Sequence, residues 1–189
     1  MMANIWDDVA ASWDLNPESN DLANKAFESL QELVDLKGLH ILDFGCGTGL
    51  LSEKMAPLAK DIVALDSSEA MIEQLDKKEL KNVEPVVDML SRGLAAMHPA
   101  FRAQFDLVVA SSVCNYLNNY SDIADIVFSL LDPGSYFVHW DTLSDDSSEG
   151  GISMAHANQV LTSVGFQTVD ISMPFSVGSE KIIMVVARK

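Results

Sequence analysis

The chain has 189 residues, 48% of them hydrophobic and 21% charged, enough for one domain with its own core. Twelve Lys and Arg stand against 28 Asp and Glu, a net charge of −16 that speaks against nucleic acid and anionic membrane surfaces as partners. A small molecule is the expected partner, and the two cysteines, Cys46 and Cys114, form neither a disulfide framework nor a zinc-ligand spacing.

The N-terminus, "MMANIWDDVAASWD", carries acids and no long apolar run, so neither a secretory signal nor a membrane span is expected and the cytoplasm is the default compartment. Asn16 before Pro17 reads as a helix cap. Leu22, Ala26, Leu30 and Leu33 follow on one face, and Gly38 is expected to end the helix. "LHILDF" reads as a buried strand, and Leu50, Leu51, Met55 and Leu58 mark a helix that Pro57 truncates. "DIVALD" is a second buried strand, after which Ser67 is expected to cap a helix with Ala70, Met71 and Leu75. In "NVEPVVDM", Pro85 predicts a strand start or an edge.

"FDLVVASSV" is the next strand, followed by a helix with Ser121 as its cap and Ile123, Ile126, Val127 and Leu130 on one side. "DPG" predicts a turn into the strand "SYFVHW". Beyond the acidic stretch Asp145 to Glu149, Ala157, Val160, Leu161 and Val164 sit at helical spacing, with Gly165 closing the helix. "FQTVDISM" and "KIIMVVA" are separated only by a short turn and must pair antiparallel. Strands alternating with helices mean crossover connections, a mostly parallel sheet and one α/β domain.

The chemistry concentrates in "HILDFGCGTG", residues 40–49. In an open parallel sheet, ligands bind beyond the carboxyl ends of the strands. No lysine follows Gly49, which excludes an NTP-binding loop. Leu50 stands where a dinucleotide fingerprint needs a small residue, which weighs against NAD. Asp43 at the first strand tip suits a cationic ligand better than a pyrophosphate. Asp66 ends the second strand about 20 residues after the first glycine, the spacing that serves ribose hydroxyls, and Asp88 ends the third.

"ILDFGCGTG", "VALDSSEAMI", "VVDM" and "FDLVVASSVCNYL" together resemble successive motifs of the class I S-adenosylmethionine-dependent methyltransferases. That resemblance implies a Rossmann-like three-layer α/β/α sandwich with seven strands in the order 3-2-1-4-5-7-6, the last one antiparallel. It implies residues 1–37 as an N-terminal lid or helical segment and 38–189 as the core of a single methyltransferase domain. It assigns the cofactor, or its product S-adenosylhomocysteine, to Asp43, Gly45, Cys46, Gly47, Asp66, Ser67, Met71, Asp88, Met89, Ala110 and Ser111. Asn115, Tyr116, His139 and Asp141 become candidates for the acceptor side. His139 is either a general base or a hydrogen-bonded structural group. Trp6 and Trp13 either cover the cofactor or pack a short helix.

The expected activity is methyl transfer to a small molecule such as an amine or an acid, with a catalytic group left unassigned. The alternatives are methylation of a protein side chain, a binding module without catalysis, and an NAD-dependent oxidoreductase.

Overall fold

The computed structural model describes residues 5–144 and 151–189, and the chain divides into two compact units, Met1–Met89 and Leu90–Lys189. In the first unit, the single turn α1 (Ala10–Trp13) precedes α2 (Pro17–Leu33). Asn16 caps α2 as expected, its side chain accepting from the Glu18 amide at 2.9 Å. The helix stops at Leu33, five residues short of Gly38, because the chain turns extended at Val34 and delivers Leu36 into the core at 1% exposure.

Three strands follow: β1 (His40–Phe44), β2 (Asp61–Asp66) and β3 (Val83–Val87), paired in parallel with β2 in the middle. β1 and β2 are nearly continuous buried runs, as strands covered on both faces must be. β3 is exposed at Glu84, Pro85 and Val87, and its place at the sheet edge is what accommodates a proline. The crossover helices are α3 (Leu50–Met55), ended just before Pro57, and α4 (Glu69–Asp76). Ser68 caps α4, not Ser67: its hydroxyl accepts from the Met71 amide at 3.1 Å, while Ser67 faces solvent.

The second unit opens with α5 (Arg92–Met97) and a 3-10 turn, Pro99–Phe101, which the sequence does not announce. Six residues are too few to show apolar periodicity, and only Leu94 is buried. Then come β4 (Phe105–Ser111), a 3-10 turn Cys114–Tyr116, α6 (Tyr120–Leu130), β5 (Leu131–Thr142), α7 (Met154–Val164), β6 (Thr168–Val177) and β7 (Glu180–Arg188). α6 begins at Tyr120 with no side-chain cap, so Ser121 lies inside the first turn; burial of Tyr120, at 4% exposure, sets the start.

The "DPG" segment is a bulge within β5, where the register slips between Phe105↔Leu131 and Leu107↔Tyr136. Gly165 closes α7 as expected. β4 and β5 pair in parallel, and β7 runs antiparallel to both β5 and β6. The sheet order is β3-β2-β1-β4-β5-β7-β6, the one implied by the sequence motifs. Among the described residues no helix is long and apolar enough to cross a membrane.

Candidate functional site

In the first unit the loop after β1 folds back onto the end of β2. The Gly45 and Cys46 amides both donate to the Leu65 carbonyl, at 2.7 and 3.0 Å. The Gly47 amide donates to Asp66 Oδ2 at 2.8 Å, and the Ser68 amide donates to Asp66 Oδ1 at 2.9 Å. One carboxylate thus clamps the glycine loop to the turn that starts α4. Gly47 has φ +54°, and a Cβ there would meet nothing nearer than Met71 Sδ at 3.9 Å, so open space adjoins it. Gly49, at φ +81°, differs: a Cβ would lie 2.3 Å from Leu75 Cδ1.

Asp43 is 1% exposed and accepts from the Ser52 hydroxyl at 2.6 Å. Burial pushes its carboxyl up to about 6; the Ser52 hydrogen bonds oppose this and the neighbouring Asp66 charge adds to it. Asp66 is also raised by burial, against the pull of the Ser68, Gly47 and Ser67 amides and with a further push from Asp7. No ion pair reaches either acid among the described residues. This pair of poorly solvated carboxylates favours a cationic ligand. The Cys46 side chain packs with Ala64, Ile72 and Leu75, its thiol pushed up by burial and then by Asp43 and Asp66, so only its backbone serves the loop.

Met71 is buried beneath the loop, while Ser67, Asp88 and Met89 are exposed, Met89 at 71%. Asp88 is anchored by its amide, which donates to the Asp66 carbonyl at 3.0 Å, and its Oδ1 accepts from the Met89 amide at 2.7 Å. The N-terminal segment is fastened to the same loops. The Ser68 hydroxyl donates to Asp7 at 2.5 Å and the Thr48 hydroxyl to Asp14 at 2.5 Å. Lys78 bridges Asp14 and Glu53 at 2.9 and 3.0 Å. Trp6 and Trp13 meet edge to face, ring centroids 5.9 Å apart, and both are half-buried.

In the second unit Ala110 is fully buried and Ser111 half-buried at the end of β4. Beyond them Asn115 is half-buried and Tyr116 54% exposed. His139 and Asp141 are both buried, at 0% and 1% exposure. His139 Nδ1 bonds Asp141 Oδ2 at 2.6 Å and Nε2 bonds the Tyr120 hydroxyl at 2.9 Å, leaving no ring nitrogen for a substrate. Asp141 Oδ1 accepts from the Asn115 amide at 3.0 Å. The cause is position: β5 lies between β4 and β7, and His139 is in register with Ala110 and Val185. Cys114 lies beside this pair, its thiol pushed up by burial and then by Asp141. The acidic residues Asp145 to Glu149 lie outside the described residues.

Residues 19–170 match a protein family described as a methyltransferase domain. The chain belongs to that family. Over 145 residues this methyltransferase domain is 29% identical to a ubiquinone biosynthesis O-methyltransferase of Paraburkholderia phymatum, covering 76% of this chain and 60% of that protein. Over 108 residues it is 32% identical to an uncharacterized methyltransferase of Schizosaccharomyces pombe, covering 53% and 38%. The chain therefore spans less than two thirds of the length of these relatives.

Among solved structures, the DhpI-SAM-HEP complex superposes with a TM-score of 0.77 at 20% identity, covering 97% of this chain and 94% of that one. The N-methyltransferase NodS from Bradyrhizobium japonicum, in complex with S-adenosyl-L-homocysteine, gives 0.71 at 18% identity, covering 98% and 99%. At such identities the likeness shows a shared fold.

Within the first unit of this methyltransferase domain, Asp43, Gly45, Cys46, Gly47, Asp66 and Met71 gather around one loop, with Asp88 and Met89 joined through the Asp66 backbone. Sequence reasoning missed Asp7, Asp14, Thr48 and Ser68, whose pairings link residues 61 and 34 positions apart. No local pattern encodes such distant pairs.

Proposed function

We propose that this methyltransferase domain binds S-adenosylmethionine and transfers its methyl group to a small-molecule acceptor. The observation that carries this is the Asp66 clamp: a carboxylate at the β2 tip holds a glycine loop that leaves open space at Gly47 and carries a second, buried carboxylate at Asp43. The residues fit the cofactor. Asp43 supplies negative charge for its ammonium and sulfonium end. Gly45, Cys46 and Gly47 offer backbone. Asp66 has lone pairs left for ribose hydroxyls after its two amide bonds. Ser67, Met71, Asp88 and Met89 border the base. When bound, the cofactor supplies a methyl group already activated by its sulfonium.

The protein's share is then to orient the nucleophile and keep water out, effects that supply roughly 7–11 kcal/mol in well-aligned reactions. Residues 1–37 act as the lid, with Asp7 and Asp14 latching it and Trp6 and Trp13 forming its apolar part. Residues 1–189 act as one catalytic domain, a reading supported by a family match that runs across the boundary between the two units. Likeness to O-methyltransferases supports an oxygen nucleophile. Two free buried cysteines suit a reducing compartment such as the cytoplasm, and the acid excess suits a partner other than nucleic acid.

Titration calorimetry with S-adenosylmethionine, S-adenosylhomocysteine and NAD tests the cofactor. Binding of the first two and none of NAD is expected; NAD binding without S-adenosylhomocysteine binding overturns the proposal. Labelled methyl transfer to a metabolite pool set beside a proteome pool then separates small-molecule from protein acceptors.

A further inference from the structure

Ser52 lies on α3 beside the core residues Leu51 and Met55 and is itself 0% exposed. A serine inside a helix often returns its hydroxyl to a carbonyl one turn back. Ser52 instead donates to Asp43 Oδ2 at 2.6 Å, from α3 across to β1. The acid it meets has no cation of its own: no ion pair reaches Asp43 among the described residues. The groups that act on Asp43 in the first unit are Ser52 of α3, the Cys46 thiol of the loop and Asp66 at the end of β2, which Asp7 faces in turn. A hydroxyl, a neutral thiol and a second carboxylate leave a buried negative charge uncompensated. Desolvation, with repulsion from Asp66 added, therefore holds the carboxyl at about 6 against the pull of Ser52. Alanine would fill the place of Ser52 with no polar group to satisfy. What the hydroxyl adds is a donor that fixes one carboxylate oxygen and favours its charged form.

We infer that the Asp43 carboxylate distinguishes the methyl donor from its spent product, and that Ser52 is the positioning residue that holds the carboxylate for this task. The inference rests on the methyl-transfer proposal and deepens it. S-adenosylmethionine and S-adenosylhomocysteine share the nucleoside, the ammonium and the carboxylate, and they differ at sulfur. A sulfonium carries one positive charge more than a thioether. A buried, uncompensated carboxylate attracts that extra charge over several ångströms without touching it, because the medium between them screens weakly. When the donor binds, the O–H bond of the Asp43 carboxyl breaks and its proton passes to bulk water. The carboxylate keeps the Ser52 hydroxyl as its donor. After transfer the sulfur is neutral and the added attraction is gone, which favours departure of the product.

Calorimetric titration of the full chain with each of the two ligands, in steps from about pH 5 to about pH 7.5, makes the test. The affinity ratio of S-adenosylmethionine to S-adenosylhomocysteine is expected to rise about fivefold over this range as Asp43 ionises. Asp43→Asn should flatten the ratio. Asp66 titrates nearby, so a rise that survives in Asp43→Asn belongs to another group and overturns the inference. Ser52→Ala should move the rise upward by about one pH unit, and Ser52→Thr, which keeps the hydroxyl, should leave it in place. A Ser52 that served packing alone would weaken both ligands alike in the alanine variant and leave the pH profile unmoved; that result removes its positioning role. A ratio independent of pH in the unaltered chain overturns the whole inference. Should Ser52→Ala not fold, Ser52→Cys, a weaker donor of similar size, is read in its place. Failure of the unaltered chain to bind either ligand at any pH would instead strike the cofactor proposal on which the inference rests.

Discussion

Gly47 and Gly49 share a loop and a left-handed backbone, yet answer to different neighbours. A Cβ on Gly47 meets only Met71 Sδ, at an ordinary 3.9 Å, while one on Gly49 strikes Leu75 at 2.3 Å. Gly47→Ala should therefore remove most cofactor binding for a stability loss of about 1 kcal/mol. Gly49→Ala should cost about 2–4 kcal/mol with or without ligand, comparable to overpacking and strain elsewhere; paired calorimetry and thermal melts read the contrast. Asp66→Ala removes the clamp on Gly47 and Ser68 and should weaken S-adenosylhomocysteine binding by about 1–3 kcal/mol. Unchanged affinity would take Asp66 out of the site.

Asp43 carries a pH dependence of definite sign. Its carboxyl is raised to about 6 in the fold, so its favourable contribution is full below the unfolded value near 4 and is lost as pH rises through 6. Asp43→Asn should stabilise the cofactor-free protein at pH 7.5 by up to about 3 kcal/mol and leave it unchanged near pH 4. Denaturant melts at the two pH values check this.

At the scale of elements, the start of the N-terminal segment is tied down by a few polar contacts beside the buried Ala10. Asp7 and Asp14 grip the hydroxyls of Ser68 and Thr48, and each such bond is worth about 1 kcal/mol net. An Asp7→Ala, Asp14→Ala double variant should release S-adenosylhomocysteine about tenfold faster, followed by fluorescence of Trp6 and Trp13. An unaltered off-rate would mean that the segment does not close over the site. Helix limits show the same dependence on remote partners: α2 ends where Leu36 must enter the core, and α6 begins where Tyr120 reaches His139. Neither limit coincides with the local signals at Gly38 and Ser121.

Across the whole molecule the dominant quantity is a charge of −16 on 189 residues. Like charges at this density repel in the folded state more than in the expanded chain, and salt screens them over about 10 Å at 0.1 M. Raising NaCl from about 20 to 500 mM should lift the melting temperature by several degrees, roughly what 1 kcal/mol gives a domain of this size; a fall in melting temperature would show that specific ion pairs outweigh the repulsion.

The apolar runs of β1, β2, β4 and β7, the spacing of α2 and α7, and the acids closing β1 and β2 are written locally, because burial on both faces and helical periodicity act on near neighbours. They place the elements and, with the glycine loop, carry the family resemblance that implies the strand order. Which serine caps α4, where α5 lies, and what fastens the N-terminal segment depend on groups that meet only after folding. His139 shows the division most clearly. As a residue type at a strand end it suits a base or, more often, a hydrogen-bonded structural role. Only the structure shows both of its ring nitrogens engaged, by Tyr120 and by Asp141, whose other oxygen accepts from the Asn115 amide.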